Sequence, residues 1–272
     1  MRRSLAGVAV LLVASAGVLL AHDLFLKLGS YYVRPGEAAR VAVLNGTFST
    51  SENAVAPGRL RDLSVVSPAG RRAIPRSAWR PSGDTSWLTV PTAEAGTYVI
   101  GASLTPSEIA LTAAQFNEYL EHDGIPDVLE ARREGGELNR DVRERYHKHV
   151  KTIIQVGGAR TDSYRAALGY PAELVPLANP YDVRVGDTLA VRALVDGRPV
   201  GNQLVIAGGE PLSETGSHTI PETRARSDAE GVARFVITTP GKWYVKFIHM
   251  APLRGDSVDY ESKWATITFE VR

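Results

Sequence analysis

The residues of this chain best suited to chemistry are six histidines: His22, His122, His147, His149, His218 and His249. Cysteine is absent, so neither a thiol nucleophile nor a thiolate ligand is on offer. No Gly-rich loop opens a helix to cradle phosphate, and no G-x-S-x-G elbow presents a serine. No spacing gathers the serines and acids into a triad. Imidazole nitrogen remains, and it suits borderline transition metals such as nickel, cobalt and copper.

His22 stands apart because of what precedes it. Arg2 and Arg3 are followed by an uncharged run rich in Leu, Val and Ala that ends at Ala21. That is the pattern of a signal peptide over residues 1–21. Cleavage after Ala21 would make His22 the first residue. Its free α-amine, with a pKa of about 8, and its imidazole, at about 6.5, could then close a chelate ring on one ion. Two other readings stand beside this one. Ala14-Ser15-Ala16 offers a second small-residue cleavage site, and an uncleaved run of this length approaches a bilayer span. By composition alone, a histidine that follows a cleavage site by chance is the commoner case.

The other histidines depend on the elements that carry them. His147 and His149 form an H-x-H pair, which would share a face on a strand but point to nearly opposite sides on a helix. Leu138, Val142, Tyr146, Val150 and Ile153 suggest an apolar helical stripe, which predicts a helix over residues 139–154. The pair should then not chelate one ion together. His149 would border the stripe and His147 would face water. Trp243, Val245, Phe247 and His249 alternate onto one strand face, with His249 at the strand end, where sandwich folds gather functional loops. His122 ends a predicted helix, where its cation favours the dipole, and His218 lies in a Ser/Gly/Thr loop. The candidate metal ligands are therefore His22, His249 and His149, each weighed against an ordinary hydrogen-bonded histidine. Trp243, Tyr260 and Trp264 could stack on a sugar, but alternation puts Trp243 in the core.

Short β-rich runs punctuated by Gly and Pro dominate both ends of the chain and predict a mainly β fold. Thr105-Pro106-Ser107-Glu108 has the form of a helix start, with Ile109, Ala113, Phe116 and Leu120 at helical spacing and Gly124 and Pro126 at the end. The expected layout is an N-terminal β-sandwich over residues 22–104 and a helical hairpin over 105–155. A connector over 156–180 and a C-terminal Ig-like sandwich over 181–272 complete it. Two echoes relate the β regions: Arg34-Pro35-Gly36-Glu37 resembles Arg184-Val185-Gly186-Asp187, and Gly96-Thr97-Tyr98-Val99 resembles Gly241-Lys242-Trp243-Tyr244-Val245.

Hydrophobic residues make up 44% of the 272, enough to bury a core. Removing residues 1–21 leaves 29 Lys and Arg against 30 Asp and Glu, a formal charge of −1 with no basic cluster. Nothing there offers a footing for nucleic acid.

Four stretches, in order, resemble one family. Ala21-His22-Asp23-Leu24-Phe25-Leu26 resembles the AHxFWL start of the bacterial periplasmic DUF4198 family. Arg145-Tyr146-His147-Lys148-His149-Val150-Lys151-Thr152 resembles its RYxxYxKT segment. Residues 173–181 resemble its ELVPLxNPY connector, and residues 259–269 its closing ESxWATLTFE. His149 stands where the motif often has Tyr, and Lys27 where many members carry an acid. The resemblance implies an exported, periplasmic or secreted protein with Ig-like or prealbumin-like sandwiches and, after signal cleavage, no membrane span. Some members are associated with nickel or cobalt uptake, which implies a metal-uptake membrane transporter as partner. The expected function is metal binding without turnover. The alternatives are a non-catalytic envelope module without metal and, least favoured, a copper-dependent oxidative enzyme.

Overall fold

The computed structural model describes residues 22–213, 218–255 and 257–272. The expected signal peptide lies outside the described residues. The N-terminal half contributes β1 (Asp23–Leu28), β2 (Tyr32–Val33), β3 (Ala38–Gly46), β4 (Leu60–Ser67), β5 (Gly70–Ala73), β6 (Trp79–Ser82), β7 (Thr85–Pro91), β8 (Gly96–Leu104) and β9 (Ser107–Leu111). Helices α1 (Ala113–His122) and α2 (Pro126–Glu134) follow, then the long strand β10 (Val142–Val156). The C-terminal half adds β11 (Ala172–Pro176), β12 (Thr188–Val195), β13 (Arg198–Pro199), β14 (Leu204–Pro211), β15 (Ile220–Arg226), β16 (Val232–Val236), β17 (Gly241–Pro252) and β18 (Tyr260–Val271). The fold is mainly β, as its composition of short alternating runs predicts.

These strands form one large sheet and two small ones. The large sheet runs β15-β14-β17-β18-β10-β8-β4-β5, with β2 and β9 also on β10. One small sheet is β1-β3-β7-β6, and the other is β11-β12-β13 with β16 on β12. β10 joins the halves: it pairs parallel with β18, and antiparallel with β9 and β8. Both halves feed one buried cluster, in which Leu26, Val41 and Trp79 belong with Leu174, Val191 and Phe247.

The small sheets cover opposite faces of the large one. β1 packs on β10 and β18, and on that face Thr268 Oγ1 donates to the Leu26 carbonyl and Lys148 Nζ donates to the Asn45 side chain at 3.1 Å. We call this the inner face. The helices cover its far end, where Phe116, Tyr119 and Leu120 meet Ile248, Tyr260 and Trp264. β11 and the connector cover the outer face, where Lys151 Nζ reaches Glu173 at 3.0 Å.

The predicted helix over residues 139–154 is the strand β10. From His147 to Val156 every residue is buried, because both faces are covered. A strand buried on both sides loses the in–out alternation that marks a half-exposed one. Its apolar residues then matched a helical stripe by accident. The first helix also starts later than expected: residues 107–111 are β9, and Thr112 caps α1 with Gln115 in a reciprocal capping box. Pro126, expected to end a helix, begins α2 at its first turn. The helical pair therefore spans α1 and α2, without residues 139–154.

The expected echoes are structural. Gly36 and Gly186 adopt φ +86° and +95°, a region that favours glycine. Glu37 N donates to Arg34 O at 3.1 Å, as Asp187 N does to Arg184 O at 3.0 Å. Each turn then accepts from the residue just after a later strand, Thr92 N to Glu37 O after β7 and Ile237 N to Asp187 O after β16. Trp243, Tyr260 and Trp264 are all buried, so the core reading of these aromatics holds.

Candidate functional site

His22 enters β1 at the mouth of a pocket of about 330 Å³ on the inner face. Three regions far apart in sequence build its walls. The start of β1 and the residues after β3 bring His22, Asp23 and Glu52; the end of α1 brings His122 and Asp123; β15 and β17 bring Glu222, Tyr244 and Lys246. Gly46 makes the first wall possible, since a Cβ there would lie 2.5 Å from the Thr50 carbonyl oxygen. Thr47 N then donates to Thr50 O, and Glu52 N to Asn45 O, which turns Glu52 toward His22. The Glu52 carboxylate lies 2.7 Å from His22 Nε2. Phe25, Phe48 and Tyr244 form an aromatic trio beneath, with ring centres 5.0–5.2 Å apart.

Two lysines tie the pocket floor to the sheet. Lys148 Nζ donates to the His22 carbonyl, and Lys246 Nζ pairs with Asp23 and lies 3.8 Å from Glu222. Tyr244 Oη donates to Glu222 at 2.7 Å. Burial alone would lower the Lys246 pKa, but Asp23 and Glu222 together hold it above the usual value. Burial lowers Lys148 to about 8. Burial, with the Asp23 carboxylate nearby, raises Asp123 to about 7. The pocket thus offers two imidazoles, one carboxyl poised to lose a proton near neutrality, and carboxylates already paired with cations. These are nitrogen and oxygen donors of the kind borderline divalent ions accept. Among the described residues no three His, Asp or Glu side chains stand close enough to hold an ion as placed.

The three expected ligands, His22, His149 and His249, occupy separate surroundings. His149 lies on the outer face, buried, with Nδ1 2.9 Å from Ser103 Oγ and its ring 5.8 Å from that of Tyr170. His249 lies at the outer end of β17, with Nδ1 3.0 Å from Gln203 Oε1. The Trp243-Val245-Phe247 alternation toward the core is as expected. His147, expected in water, is buried on the outer face beside His149, with Nε2 3.0 Å from Glu261. His218 is exposed. Sequence reasoning missed Glu52, Asp123, Glu222 and Lys246, which no spacing relates to His22.

A family model described as a domain of unknown function, DUF4198, matches residues 19–251. The chain belongs to the DUF4198 family. No curated protein matches it. Among solved structures, this DUF4198 chain is similar to elastase-activated α2-macroglobulin of Escherichia coli at 13% identity and TM-score 0.23, over 91% of this chain and 20% of that one. It spans a fifth or less of the α2-macroglobulins it matches. It is also similar to the D0–D1 domain of intimin, at 15% identity and TM-score 0.22 over 91% and 97% of the two chains. A DUF4785-family protein of Legionella pneumophila matches at 11% identity and TM-score 0.27, over 81% and 50%.

Proposed function

We propose that this protein is an exported, periplasmic or secreted accessory protein that captures a divalent transition metal at the His22 pocket. Nickel, cobalt and copper fit its nitrogen-rich donor set, and a metal-uptake membrane transporter is the partner to receive the ion. The reading rests on one observation: the first residue after the expected cleavage site shares a pocket with a second imidazole, His122, and two acids, Glu52 and Asp123. Cleavage after Ala21 would add the His22 amine to its own imidazole. Glu52 already orients the imidazole, and Lys148 holds the residue by its carbonyl. Asp123, raised toward neutrality, would give up its proton as a cation arrives, which couples capture to pH. No bond is made or broken in a substrate; the work is capture and release. The matching turns at Gly36 and Gly186 support reading the two halves as related Ig-like modules that share a sheet.

A second reading, a non-catalytic envelope module without metal, is favoured by the pairing of Asp23 with Lys246 and of Glu52 with His22. One titration separates the two. Nickel(II) and copper(II) are titrated into protein that begins at His22 and into protein with one extra residue before it. The metal reading expects at least tenfold tighter binding to the first form. Equal affinity overturns it.

A further inference from the structure

The outer face of β10 carries a second constellation that the His22 pocket does not use. Residues two apart on a strand share a face, so β10 sets the His147 and His149 rings side by side, with centres 6.1 Å apart. Each ring spends one nitrogen on an orienting partner. His147 Nε2 lies 3.0 Å from a Glu261 oxygen, and His149 Nδ1 lies 2.9 Å from Ser103 Oγ. The other nitrogen of each, His147 Nδ1 and His149 Nε2, is buried with no hydrogen-bond partner among the described residues. Both residues are more than nine-tenths buried, at 8% and 2% exposure. Buried polar nitrogens are almost always satisfied, so two unsatisfied ones on neighbouring rings ask for a shared occupant.

We propose that His147 and His149 together bind one cuprous ion. Metal-bound imidazoles characteristically hand their second nitrogen to a carboxylate or hydroxyl, as Glu261 and Ser103 receive them here. Two imidazoles sharing an ion at nitrogen–metal distances of about 2.0 Å have ring centres about 5–6.5 Å apart, which brackets this pair. Burial keeps both rings neutral, the form that ligates: His149 falls to about 3, and His147 is also lowered. The surrounding charges choose the ion. Arg61 and Lys263 bear on both rings, Lys263 being held by Asp196 at 2.7 Å, against the single carboxylate of Glu261 on His147. A monovalent ion meets less repulsion there than a divalent one. A closed-shell cuprous ion is also satisfied by two nitrogen donors, whereas nickel and zinc require more. Tyr170, close to the His149 ring, is tied to Asp62 at 2.6 Å and supplies no free donor.

This site lies on the opposite face of β10 from His22, and its test is made independent of that residue. Protein with one extra residue before His22 is challenged anaerobically with copper(I) held by a chromophoric chelator. The expected result is one equivalent taken from the chelator, with shifts at His147 Nδ1 and His149 Nε2 in ¹⁵N NMR. H147Q and H149Q should each weaken retention at least tenfold, and E261Q, which keeps both rings, severalfold. H218Q, at an exposed histidine outside both sites, should leave it unchanged. No copper(I) uptake by the parent form, or uptake without shifts at those two nitrogens, overturns the proposal whatever the nickel titration shows. Failure of the nickel titration alone overturns the His22 reading and leaves this one standing.

Discussion

The two faces of β10 carry similar residue types in opposite electrostatic settings. On the inner face Glu144, Tyr146 and Lys148 point toward the helices and His22; on the outer face His147 meets Glu261 of β18, His149 meets Ser103 of β8 and Lys151 meets the connector. Glu144 is fully buried without a basic partner in contact, held by Tyr119 at 3.1 Å and by Ser262. Burial raises it to about 7, so in the folded protein it keeps its proton through the acidic range, where a free glutamate has lost it. Lys151, by contrast, meets Glu173 in a pair whose side chains are 3% and 2% exposed. Glu173 also accepts from Leu168 N and Tyr170 N, which ties the connector down onto the outer face. Glu144 is thus accommodated by neutralisation, and Lys151 by pairing. A buried ionisable group survives either way, but the two respond differently to mutation and pH.

The largest effect should come from breaking the outer pair. Lys151→Met leaves the Glu173 carboxylate buried without its cation and should cost about 3–5 kcal/mol in urea denaturation at pH 7. A loss below about 1 kcal/mol would erase the distinction between the faces. A smaller effect is a pair of opposite pH slopes. Glu144 titrates near 4.5 when unfolded and about 7 when folded, so its contribution is present below pH 4.5 and lost as pH rises through 7. His149 titrates near 6.5 unfolded and about 3 folded, so its contribution is present above pH 6.5 and lost as pH falls toward 3. Glu144→Gln should therefore flatten the decline of stability between pH 4.5 and 7. His149→Gln should flatten the decline from pH 6.5 to 4. Denaturation midpoints at unit pH steps read both, and slopes of the same sign would contradict the assignment. The smallest effect is expected at Lys148. Its burial cost opposes its hydrogen bonds to His22 and Asn45, so Lys148→Met should change stability by less than about 1 kcal/mol at pH 7.

Much of the fold was legible because turn chemistry is local. Gly36 and Gly186 mark turns by needing positive φ, and Asp196-Gly197 closes the β12–β13 hairpin with φ +49° and +75°. The helix start was misplaced because Thr105 and Thr112 both head plausible caps. Only Thr112 is followed by Gln115 in a position to reach back. Residues 142–154 were misread as helix because a strand buried on both faces shows no alternation, and Val142, Tyr146, Val150 and Ile153 fall at helical spacing. The partners of its polar residues Lys148, Lys151, His149 and His147 come from His22 and β3, the connector, β8 and β18.

The same division holds for the sites. The amino-acid order alone determined that this is a mainly β chain of the DUF4198 type, with a histidine placed just after a signal-like run, because those signals lie within a few residues of one another. Tertiary structure decided that Glu52, His122 and Asp123 surround that histidine, and that His147 and His149 share a face. Spacing could not reveal the first arrangement, and it implied the second only if residues 142–156 were a strand, which tertiary pairing decided. The pocket is assembled from β1, the end of α1, β15 and β17, and a strand's two faces acquire distinct chemistry only once different layers cover them.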